Sequence, residues 1–128
     1  MREIKFRGLD TEGIWHYGFI VRLYFSEVKK KWVLGIQKKL DRYACGMMPI
    51  ITESLGEYTG LDDKKGKEIY EGDIVKVGYD NLKVEWSYYV GLKIGSIDLP
   101  TLEKKIAEGN TVEIIGNIHE NPELLEQQ

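Results

Sequence analysis

Cysteine occurs once in this chain and histidine twice. A lone thiol excludes an internal disulfide framework, and three such side chains cannot complete a four-ligand zinc site of Cys and His alone. No apolar run approaches the roughly 20 residues that cross a bilayer. The longest apolar-looking segment, Ile14 to Phe25, is interrupted by His16 and Arg22. Nothing near the N-terminus resembles the uninterrupted apolar stretch, about 7–15 residues long, of a secretory signal. Positive charge is not in excess either: 18 Lys and Arg stand against 21 Asp and Glu, for a net charge of -3. No global field draws the molecule onto DNA or an anionic membrane. These absences predict a soluble cytoplasmic protein, not bound to a membrane, with Cys45 as a reduced thiol.

What is present is apolar and aromatic: 42% of the 128 residues are hydrophobic, with three Trp and eight Tyr. That suffices for one domain that buries roughly two thirds of its unfolded surface without metal or disulfide. No linker-like segment interrupts 1–128, which predicts one cooperative unit. Within it, 1–53 would form an N-terminal β-hairpin region and 54–128 a barrel with a C-terminal helix.

Period-two alternation places Ile4 and Phe6 on one side of a first strand. Asp10-Thr11-Glu12-Gly13 turns the chain into a hairpin with Ile14 to Phe25. Trp32 to Ile36 makes a third strand, and Lys38 to Met47 a loop carrying Cys45. Thr59 to Tyr70 has the pattern of a hairpin with a polar tip near Gly66. Glu71-Gly72-Asp73 is a tight turn into Ile74 to Val77, with Asp73 bonding nearby amides. Leu82, Val84, Trp86, Tyr88 and Val90 alternate with polar or smaller residues, the strongest strand signal in the chain. Asp98 caps a helix through Glu108, with Pro100 in its first turn and Leu99, Leu102 and Ile106 as its apolar stripe. Val112 to Ile118 is a final strand, and Asn121-Pro122-Glu123 opens a helical turn. Seven or so strands with short connections give a mainly β, antiparallel small barrel.

Catalytic motifs are missing. His16 and His119 lack a carboxylate or histidine at helical or hairpin-fixed spacing, and read as structural or surface residues. Cys45 reads as a plain thiol, and no Gly-x-Ser-x-Gly elbow or phosphate-binding glycine loop occurs. Asp62-Asp63, beside Lys64, Lys65 and Lys67, reads as solvated. No enzyme activity, cofactor or metal is therefore expected. One patch differs: between Glu27 and Arg42, six basic residues face two acidic ones. Lys29, Lys30, Lys31, Lys38, Lys39 and Arg42 interleave there with Tyr24 and Trp32, the pairing of cations and stacking rings that single-stranded nucleic acid uses. The plainer reading is a solvated hairpin whose lysines protect a strand edge.

Gly56-Glu57-Tyr58-Thr59-Gly60-Leu61-Asp62-Asp63-Lys64-Lys65-Gly66-Lys67-Glu68-Ile69-Tyr70-Glu71-Gly72-Asp73-Ile74-Val75 resembles the signature segment of YopX-type phage and prophage proteins. Arg2 to Gly8 and Ile115 to Leu125 are similar to that family's two ends, so the resemblance spans nearly the whole chain. It implies an SH3-like barrel and a phage or prophage setting in a bacterial host, and it carries no catalytic or ligand residues. The tip departs from the usual Asp-Lys-Asn-Gly, which predicts a looser turn here. The expected role is a non-catalytic protein-interaction or assembly module. Its partner would be a host or phage protein, or a second copy of the chain. Single-stranded nucleic acid through the Lys29–Arg42 region is the alternative.

Overall fold

The computed structural model describes residues 4–38, 47–87 and 91–126, and for Arg22, Lys31 and Trp32 the backbone alone. Two compact units divide the chain, Met1–Tyr58 and Thr59–Gln128. Their boundary falls within a strand, a few residues beyond the 53/54 division that composition suggests.

The first unit begins with β1 (Phe6–Leu9), β2 (Trp15–Ser26), β3 (Lys31–Gln37) and β4 (Met48–Ile50). They lie in the order β4-β3-β2-β1, with the start of β5 (Gly56–Asp62) beside β1. Every pairing is antiparallel, as short connections require. Leu34, Ile36 and Ile50 form the buried centre, with Phe6 and Leu55 packed against it. Ser54, in a 3₁₀ turn after β4, accepts from the Leu9 amide at 2.7 Å and donates to the Ile51 carbonyl at 2.6 Å. Ile4 departs from expectation: it lies outside β1 and is exposed. β5 still runs beside this segment, the Tyr58 amide donating to the Lys5 carbonyl at 2.8 Å, but the Ile4 side chain is left in water.

In the second unit, the later part of β5 leads through a turn to β6 (Glu68–Tyr70). β7 (Asp73–Val77), β8 (Asp80–Ser87), β9 (Gly91–Ile94), β10 (Ile97–Asp98) and β11 (Val112–Asn117) make a five-stranded sheet, β10-β9-β8-β7-β11. α1 (Leu99–Ala107) follows β10. Asp98 caps it by accepting from the Thr101 amide at 3.0 Å, and Pro100 stands in its first turn. Of the expected stripe, Leu102 is buried while Ile106 faces water. Ile69, Val75, Val84, Ile94, Leu102 and Val112 are in the core. A 3₁₀ turn, Pro122–Glu126, closes the described chain.

The described residues are mainly β with one short α-helix, as the sequence indicates. Eleven strands appear among the described residues against the seven or so that periodicity resolves, because β4, β6, β9 and β10 are too short to show a period. The described strands form open sheets with no closed barrel among them.

Candidate functional site: the β2–β3 arm and the His16 groove

Among the described residues, β2 pairs with β1 only from Trp15 to Gly18, and β4 meets β3 only from Leu34 to Ile36. Beyond those stretches β2 and β3 continue together as a two-stranded arm, Tyr24↔Val33 through Ser26↔Lys31. The Ser26 hydroxyl accepts from the Lys29 amide at 3.1 Å, and Lys30 takes a positive φ of 54°. This turn leaves Val28 at the tip 94% exposed.

The ladder shifts register between Ile20 and Arg22, so Val21 is an extra residue. Cross-strand partners share a face of a sheet. Ile20 pairs with Ile36, Leu23 with Leu34 and Phe25 with Trp32, so the bulge brings Ile20, Leu23 and Phe25 onto the face that carries the buried centre. Leu23 is 59% exposed and Phe25 42%, and Ile20 and Met48 are exposed beside them. Solitary surface apolar residues are ordinary, but an aligned group along one hairpin is a candidate contact surface.

At the base of the arm lies a groove of about 280 Å³, lined by Trp15, His16, Tyr17, Ile36, Lys38 and Met48. His16 there corrects the expectation that it has no hairpin-fixed partner: its Nε2 lies 2.8 Å from Oδ2 of Asp10. Asp10 opens the β1–β2 turn. Its Oδ1 accepts from the Glu12 amide at 2.8 Å and the Ile14 amide at 3.0 Å. The sequence signal for this pairing was an Asx turn: an Asp at the start of a tight turn with a histidine just inside the returning strand. The His16 contact, with help from the Ile14 amide, holds the Asp10 carboxyl below its ordinary value of 3.8. A depressed carboxyl contributes stability that is complete above the ordinary value and lost as pH falls through the folded one. Acid unfolding of the wild-type chain should therefore steepen below about pH 4. In Asp10→Asn this contribution to the slope should be absent, as a pH series of denaturant titrations would show.

The basic and aromatic residues singled out from sequence divide three ways. Lys29, Lys30 and Lys38 are exposed, and Tyr24 is half-buried. Lys30 meets Glu27 at 3.1 Å, both largely in water, a pair worth little. The backbone of Lys31 and Trp32 lies in β3, with their side chains outside the description, and Lys39, Arg42 and Cys45 fall outside the described residues altogether. His119 lies in a turn whose amide donates to Asn117 Oδ1 at 3.0 Å.

The most distinctive segment of the sequence is architecture. Asp73 accepts from the Tyr70 amide at 2.8 Å, fixing the turn as its spacing predicts. Thr59 Oγ1 donates to the Ile69 carbonyl at 2.8 Å, and the Tyr70 hydroxyl meets Glu68 at 3.1 Å. Asp63 corrects the solvated reading. It is 7% exposed and accepts three backbone amides: Lys65 and Lys67 at 2.9 Å each, and Ile114 on β11 at 3.1 Å. The tip is fastened rather than loose, and Glu113 lies 3.4 Å from both Lys64 and Lys65.

Among the described residues, no group of three or more His, Cys, Asp or Glu is placed to hold a metal ion. No helix among them is long and apolar enough to cross a membrane. What fold and surface define is a small antiparallel β protein with a partly apolar β2–β3 hairpin and a tightly hydrogen-bonded central hairpin. The chain belongs to the YopX protein family, whose model matches residues 5–126. It is also similar to protein EF1440 from Enterococcus faecalis, known from a crystal structure. That likeness has 24% identity and a TM-score of 0.57 over 98% of this chain and 99% of the other, and it shows a shared fold. No curated protein matches the chain.

Proposed function

We propose that the protein acts by contact, without catalysis, as a protein-interaction or assembly module in the cytoplasm of a bacterial host. The phage or prophage setting is the one its YopX resemblance implies. The partner is a host or phage protein, and no cofactor takes part. The observation that carries this reading is the exposure of Leu23, Phe25 and Val28 along β2 and the turn that follows it. Ordered apolar side chains exposed in this way are characteristic of interaction surfaces. We read the second unit as an SH3-like scaffold, in keeping with its short antiparallel strands and single helix. The full chain immobilised and exposed to extract of phage-infected cells should retain a discrete partner. A chain that sediments as a monomer and captures nothing would overturn the proposal.

A second reading is supported by the exposed Lys29, Lys30 and Lys38. Single-stranded DNA or RNA should then be retained at low salt, weaken steeply as salt rises, and be lost when Lys29, Lys30 and Lys31 become alanine. Absence of low-salt retention would end it.

A further inference from the structure

We draw no further inference here: the strongest candidate, the apolar row of Ile20, Leu23 and Phe25 on β2 with the groove beside His16, carries nothing because nothing in the structure shows what covers it.

Discussion

Replacing Asp63 by alanine should destabilise the protein by about 3 kcal/mol, since a carboxylate holding buried amides leaves each of them unsatisfied when it is removed. Three backbone N–H groups converge on it, two from its own turn and one from β11, 51 residues away in sequence. The last is the important one. Together with the Lys64 amide donating to the Val112 carbonyl at 2.9 Å, it ties the hairpin tip to the final strand. Burial pushes the Asp63 carboxyl up, but the amides of Lys67, Ile114 and Lys65 and the charge of Lys67 hold it below the usual range. Its contribution is accordingly present at neutral pH and disappears in acid. Asp63→Asn keeps one acceptor oxygen and turns an NH2 toward the remaining donors, so it should recover only part of the loss. Urea titration of the three proteins decides the matter. An alanine variant within about 1 kcal/mol of wild type would show that water replaces the carboxylate without penalty.

Gly18→Ala should be about as damaging, at roughly 3 kcal/mol, because strain and a steric clash fall on the same atom. Gly18 has a φ of 149°, and an added Cβ would press into the backbone carbonyl of Gln37. Neither chain can retreat cheaply, since β2 and β3 are joined through Phe19↔Gln37 and Ile20↔Ile36 immediately beyond. Gly13 is the control: its φ of 81° is also positive, but a Cβ there meets open space. Gly13→Ala should cost about 1 kcal/mol, the conformational penalty alone. Amide hydrogen exchange should show the arm opening faster in Gly18→Ala while the amides of β7 and β8 keep their protection. Equal costs at the two glycines would remove the close approach as the cause.

The turns were the most legible part of the sequence. Asp98 with Pro100, and Glu71-Gly72-Asp73 before an alternating run, are chemistry confined to a few neighbouring residues, and the structure has them where they were expected. The long strands were legible for a similar reason, because alternation persists over enough residues to establish a period. The arm was harder to read. Ile20 and Leu23 are three apart, a spacing that strict alternation assigns to opposite faces, and only the extra residue at Val21 brings them together. The basic and aromatic composition of the region was visible, but the apolar row beside it was not.

The sequence by itself determined the class of the protein, the positions of its turns and caps, and its family, because each depends on local chemistry or on a linear motif. Only the tertiary structure decided which polar side chains were structural. Asp63 looked like a wet loop residue and proved to be a buried acceptor. His16 looked solitary and proved to be paired with Asp10. In both cases the deciding partner is brought near by strand pairing, and burial is a property of the packed molecule that no single stretch of chain contains.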